Sequence, residues 1–250
     1  MMKALALEFY KLRRKRIFAM MTLFLGAELA WAFVSISMSM SRHPDSTSWE
    51  ALLVTVASMN GLFVPIMSAV AVSRICDMEH KGDTWKLLAT TAVRRSRLYW
   101  AKYWCANILI LYYISLQAAA IAGFGIVKGF AEPLPFSLLI PYIGGALLTS
   151  MAIVALQQWI SLSVKNQAFA LSLGMIGGFI GMAADFFPAG VRRLFIWSYY
   201  TGLSPVIYQY SNLSVDYRVQ PLETGSLAFM SILIIILFTA GCFHFSRQEI

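Results

Sequence analysis

Residues able to do chemistry are few in this chain of 250 residues. Its three histidines, His43, His80 and His244, stand far apart, and no H-E-x-x-H pair, G-x-S-x-G elbow or pair of aspartates within one apolar run accompanies them. A G-x-x-x-x-G-K-[ST] loop, whose backbone amides would cradle phosphates, is also missing, so the chain is not expected to bind and hydrolyse ATP by itself. Cys76, Cys105 and Cys242 are odd in number and lie in or near apolar runs. They read as packing residues, with neither a disulfide framework nor a metal cluster indicated. That leaves Glu28, an acid deep in an apolar run, where an ionised side chain costs about 2.5–3.5 kcal/mol on insertion scales. It suits either an ion or substrate path or a protonated, hydrogen-bonded packing residue. Ser35 on its helical face, Asn60, Asn107, Gln117, Gln157 and Gln158 are the polar side chains that could meet it.

The elements that must position these residues are membrane spans. The sequence is 59% hydrophobic and 13% charged, against roughly a quarter charged in a soluble domain. Crossing a hydrocarbon core of about 30 Å takes about 18 or more apolar residues. Six runs qualify, at about 17–38, 51–73, 103–127, 136–160, 168–187 and 225–245, and only Glu28 and Asp185 bring a charge into any of them. The fold expected is an all-α integral membrane protein with six transmembrane helices forming one domain over residues 1–250. The first run is too long for a signal-peptide h-region and lacks a small-residue cleavage site, so it reads as a retained span.

Cytoplasmic loops carry the excess of Lys and Arg. With the N-terminus inside, only Arg42, Lys128, Arg192, Arg193 and Arg218 of the 20 basic residues fall outside. Both termini are therefore expected in the cytoplasm. The net charge of +8 belongs mainly to the inner membrane surface, where anionic lipid rather than nucleic acid is the partner.

Residues 2–16 place Leu5, Phe9 and Leu12 on one face with basic residues crowding behind them, as in a helix lying in the interface; a plain basic flank is the simpler alternative. Tyr99, Trp100, Tyr103 and Trp104 read as an aromatic belt at the inner edge of the third span. Pro65 and Pro141 could each break a helix, as an ion-coupled carrier reading would use. In the outer segment, 188–224, Val191, Leu194, Phe195 and Trp197 suggest a short helix resting on or dipping into the outer leaflet. Gly174 with Gly178 and Gly177 with Gly181 form two interleaved G-x-x-x-G pairs, which permit close helix approach either within one subunit or between two.

The longest charged stretch between expected spans is "EHKGDTWKLLATTAVRRSRLYWAK", residues 79–102. Gly82 permits a turn, Asp83 can cap a helix, and Trp85, Leu88 and Ala89 fall at i, i+3 and i+4. The product is a short cytoplasmic helix whose apolar ridge either docks on a partner or floats on lipid. In span order, and in the "E-x-x-G-x-T-x-K-L-L-x-T" wording running on to "R-R-S-R-L-Y-W-A-K", the chain resembles the permease subunits of type-two ABC exporters. The wording "E-H-K-G-D-T-W-K-L-L" is similar to that of lantibiotic and bacitracin self-protection permeases. The resemblance covers the whole chain in length and span order, with residues 77–102 carrying it at motif level; Asp83 between Gly82 and Thr84, and Asp77 in place of a glutamate, depart from the commoner pattern.

That resemblance implies that residues 76–99 hold a coupling helix seated on a separate ATP-binding subunit, with Glu79, Gly82, Thr84, Trp85, Lys86, Leu87 and Leu88 at the matching positions. It implies ATP and Mg in the partner and none in this chain, a dimer with a second, identical or related permease, and a prokaryotic cytoplasmic membrane. It also implies export of an amphipathic peptide antibiotic without chemistry on the substrate. A standalone ion-coupled carrier using Glu28 and a membrane peptide sensor without transport are the competing classes.

Overall fold

A computed structural model describes residues 2–13, 15–42, 48–81, 95–130, 132–164, 166–210 and 215–247. Seven helices of 12 residues or more dominate it. They are α1 (Met2–Arg13), α2 (Ile17–Arg42), α3 (Trp49–Lys81), α4 (Arg95–Lys128), α5 (Phe136–Ser163), α6 (Gln167–Met182) and, after two one-turn helices α7 (Ala189–Arg192) and α8 (Tyr199–Gly202), α9 (Thr224–Arg247).

Five of them, α2, α3, α4, α5 and α9, are long and apolar enough to cross a membrane. The run expected as a span at about 168–187 forms a helix of only 16 residues, about 24 Å at 1.5 Å per residue. Its apolar sequence continues past Met182 as a 3₁₀ turn, Ala184–Phe186. Asn166 starts α6 by accepting a hydrogen bond from the Ala168 amide at 3.0 Å. Pro65 and Pro141 break nothing, since α3 and α5 run through them. α4 starts at Arg95, eight residues before the expected third span, and that added stretch carries the basic residues Arg95, Arg97 and Lys102.

The bundle has two distinct ends. At one, Gln158 of α5 donates to the Tyr99 carbonyl of α4 at 2.9 Å, Ser163 meets His244 of α9 at 3.2 Å, and α1 packs beside α4 with Leu12 fully buried. Both terminal helices, the facing ends of α3 and α4 and the α5–α6 turn therefore share this end. At the other end the Trp49 indole donates to the Glu132 carbonyl at 2.9 Å.

The outer segment is more built than a surface helix. Tyr199, Tyr200 and Leu203 are buried, and the Tyr200 hydroxyl bonds Ser150 of α5 at 2.9 Å. Trp197 turns inward over Gly177. Phe186 and Leu194 remain on the surface at 83% and 79% exposure, which fits a lipid-facing rim. Beyond it, β1 (Val206–Tyr210) and β2 (Val215–Val219) pair as an antiparallel hairpin with Tyr208 opposite Tyr217. This is the one departure from an all-helical fold among the described residues, and its Val, Ile and Tyr side chains suit a strand. Tyr208 anchors it to Thr55 of α3 at 3.2 Å.

The expected aromatic belt is half inside. Tyr99 and Tyr103 are buried against Phe238 of α9, while Trp100 and Trp104 stay partly exposed.

Candidate functional site

Glu79 belongs to the last turns of α3. Gly82, Thr84, Trp85, Lys86, Leu87 and Leu88 lie outside the described residues, so the short helix expected there is not among the elements above. What is described is how the two roots of that segment are held.

Lys102, seven residues into α4, is 1% exposed, and Glu8 of α1 is equally buried. The Lys102 ammonium donates to Glu8 Oε2 at 3.2 Å and to the Ile75 carbonyl of α3 at 3.1 Å, while Lys11 donates to Glu8 Oε1 at 3.1 Å. One ion pair thus fastens α1 to the root on α4 and the root on α3. Neither Glu8 nor Lys102 was among the residues singled out from the sequence. The signal was there: Glu8 sits on the apolar stripe, three residues after Leu5 and four before Leu12, where an acid must be buried with a partner.

Deeper in the bundle, Glu28 has no exposed surface. The Tyr113 hydroxyl donates to its Oε2, and Gln117 Nε2 donates to its Oε1 at 2.9 Å. Gln117 Nε2 also reaches Asn60 Oδ1 at 2.9 Å, and Gln117 Oε1 accepts from the Tyr142 hydroxyl at 2.8 Å and from Asn60 Nδ2 at 3.3 Å. Asn60 Nδ2 closes the set on the Tyr142 oxygen at 2.7 Å. Five side chains from α2, α3, α4 and α5 form a continuous polar hub. Every donor around Glu28 is neutral, as the cost of charge in the bilayer interior favours. An ion could reach Glu28 only if these helices separated.

Among the polar residues expected near Glu28, the structure brings in Gln117 directly and Asn60 through it. Asn107 donates to the Tyr103 carbonyl of its own helix, Gln157 to the Ala170 carbonyl and Gln158 to Tyr99, while Ser35 faces outward. Tyr113 and Tyr142 were missed because a tyrosine in an apolar run reads as packing. The i, i+4 spacing of Tyr113 and Gln117, which sets both on one helical face, was the available clue.

The four glycines of α6 are filled from within the chain. A methyl at Gly178 would stand 2.7 Å from the Leu62 carbonyl oxygen, and one at Gly174 or Gly181 would strike Ala69 or the Gly61 carbonyl. This seam makes α3 and α6 the most extensive helix pair among the described elements. Gly177 makes room for the Trp197 indole. Pro65 cannot donate to the Gly61 carbonyl, and it is against that carbonyl that Gly181 lies. A second subunit meeting α6 would have to use its other face, where Phe169, Ile176 and Phe179 are exposed.

Among the described residues no three His, Cys, Asp or Glu side chains are grouped so as to hold a metal ion. The arrangement holds polar groups inside an apolar bundle and braces the roots of one connecting segment.

A family model described as ABC-2 family transporter protein matches residues 4–181. The chain belongs to the ABC-2 transporter family. The match runs from α1 nearly to the end of α6, so it includes the ion pair at the roots, the Glu28 hub and the glycine seam. Comparison with curated proteins gave no match. Membership makes the chain a multi-pass permease subunit of an ABC transporter and implies an ATP-binding partner.

Proposed function

We propose that this permease works in an ATP-driven exporter, with residues 79–88 as the docking helix for a separate ATP-binding subunit that holds ATP and Mg. The observation that carries the reading is the "EHKGDTWKLL" wording in the connection between α3 and α4 of an ABC-2 permease. Glu79, Gly82, Thr84, Trp85, Lys86, Leu87 and Leu88 form the contact. Trp85 and Leu88 supply its apolar ridge.

Six crossings, with α6 the short one, put both termini in the cytoplasm of a prokaryotic cell. The shared end of α1, the α3 and α4 roots and α9 supports an even number of crossings. The permease pairs with a second, identical or related chain, and the cargo class is an amphipathic peptide antibiotic of the lantibiotic or bacitracin kind, expelled for self-protection. The carrier reading centred on Glu28 has less support, because both carboxylate oxygens are already bound by Tyr113 and Gln117.

The test is purification of the tagged chain in lipid nanodiscs, beside a Trp85→Asp variant. A stoichiometric ATP-binding protein present with the wild type and lost from the variant is expected, since the change buries an unpaired charge at the contact. A partner indifferent to residue 85 overturns the docking assignment. Peptide sensitivity of cells lacking the permease tests the cargo: unchanged resistance to lantibiotics and bacitracin removes that class.

A further inference from the structure

At the end of the bundle that gathers the termini, a pocket of about 490 Å³ opens between the α1–α2 turn, α3 and the start of α6. Its lining is Lys15, Val70, Ser73, Arg74, Asp77, Gln167 and Leu171. The α3 residues fall at i, i+3, i+4 and i+7, one helical stripe. The floor is fixed, because Ser73 Oγ donates to Gln167 Oε1 at 3.1 Å and Gln167 Nε2 donates to the Ser161 carbonyl at 3.0 Å. The rim is cationic. Lys15 and Arg74 are exposed, and among the described residues neither is held in an ion pair. Asp77 is the one acid among the described residues of the lining, so these residues keep an excess of positive charge.

Val70 and Leu171 stand one helical turn further into the bundle than Arg74 and Gln167 and give the pocket an apolar wall on its membrane side. Two cations at the interface, a polar floor and an apolar wall above it match the parts of a phospholipid: phosphate, glycerol backbone and acyl chain. Basic pockets between spans on the cytoplasmic side are where anionic headgroups bind.

We propose that this pocket is a specific site for an anionic glycerophospholipid of the inner leaflet, with Lys15 and Arg74 holding the phosphate and Val70 and Leu171 the first carbons of a chain. The leaflet assignment rests on the cytoplasmic placement of the termini given above. The binding site itself does not depend on the ATP-binding partner.

The experiment uses the full chain in nanodiscs of phosphatidylglycerol, phosphatidylethanolamine and phosphatidylcholine in equal parts, followed by native mass spectrometry of the released protein. The wild type should retain phosphatidylglycerol selectively, and the Lys15→Gln/Arg74→Gln double variant should lose that enrichment by on the order of tenfold. Arg74→Lys, which keeps the charge, should preserve most of it. Arg97→Gln, which removes an exposed charge near the start of α4, should leave it intact. Equal retention of the three lipids, or equal loss in Arg97→Gln, overturns the proposal. Displacement of the retained lipid by millimolar inorganic phosphate reassigns the pocket to a free anion and overturns the lipid. A wild type that retains no lipid while Leu171→Cys cross-links to a second copy makes the pocket a subunit contact, and the proposal fails. None of these readouts requires transport, so failure of the exporter reading leaves the lipid result standing.

Discussion

Glu8 and Glu28 are the same residue type, both buried to 1% exposure or less, yet they are satisfied in opposite ways. Glu8, at the end of the bundle that gathers the basic residues, is paired with two lysines, Lys11 and Lys102. Glu28, mid-helix in α2, is met only by the neutral donors of Tyr113 and Gln117. Depth explains the difference. Near the interface a lysine stem packs against apolar neighbours while its ammonium reaches a polar partner. In the hydrocarbon core a second charge brings its own desolvation cost, and neutral hydrogen bonds spread over four helices are cheaper.

The largest effect that separates the two regions should come from Lys102→Met. It leaves the buried Glu8 carboxylate with only the partly exposed Lys11 and abolishes the contact with the Ile75 carbonyl. A stability loss of about 3–5 kcal/mol is expected, read as a lowered unfolding midpoint in detergent titration. Adding Glu8→Gln to the same chain should recover much of it, because the orphaned charge is gone. If Lys102→Met costs less than about 1 kcal/mol, the pair behaves like an exposed one, and the contrast with Glu28 collapses.

A smaller effect should appear in the seam between α3 and α6. Gly178→Ala sets a methyl against the Leu62 carbonyl oxygen, 2.7 Å from where the Cβ must lie, and overpacking of this kind costs about 1–3 kcal/mol. Gly26→Ala is the control, since nothing stands within 4 Å of that position. It should be neutral or stabilise α2 by roughly 0.5–1 kcal/mol, because alanine loses less backbone entropy than glycine in a helix. Equal melting of the two variants would mean that α3 and α6 slide freely, and the seam would no longer act as a fixed element beside the hub.

The spans were legible because a run of about twenty apolar residues suits little besides the interior of a bilayer. Membership of the ABC-2 family was legible from the segment that connects α3 and α4 and the order of apolar runs around it. The short α6 was not, because its apolar run continues through Phe186 and Phe187 while the chain leaves the helix at Met182, where it folds back to lay Trp197 over Gly177. Nor was the hairpin legible, since two five-residue strands, Val-Ile-Tyr-Gln-Tyr and Val-Asp-Tyr-Arg-Val, are too short to stand out beside 24-residue helices. At the hub, the sequence exposed the acid and the amides but hid Tyr113 and Tyr142. A tyrosine's ring and hydroxyl serve different neighbours, and only the fold shows which one is used.

The smallest expected effect is also the sharpest probe of the hub. Tyr113→Phe removes one donor from Glu28 and should cost about 0.6 kcal/mol, with about 1.7 as the ceiling for such bonds in membrane proteins. Glu28→Gln keeps the shape but turns one acceptor into a donor, which then faces either Tyr113 or Gln117. Reversing the Gln117 amide would relieve the clash at one end and break its contacts with Asn60 and Tyr142 at the other. The two changes are therefore coupled through a shared acceptor, and the double variant should depart from the sum of the singles by at least about 0.5 kcal/mol. Strict additivity in a double-mutant cycle would reduce the hub to independent pairs, and Glu28 would then be no more constrained than any hydrogen-bonded side chain on a single helix face.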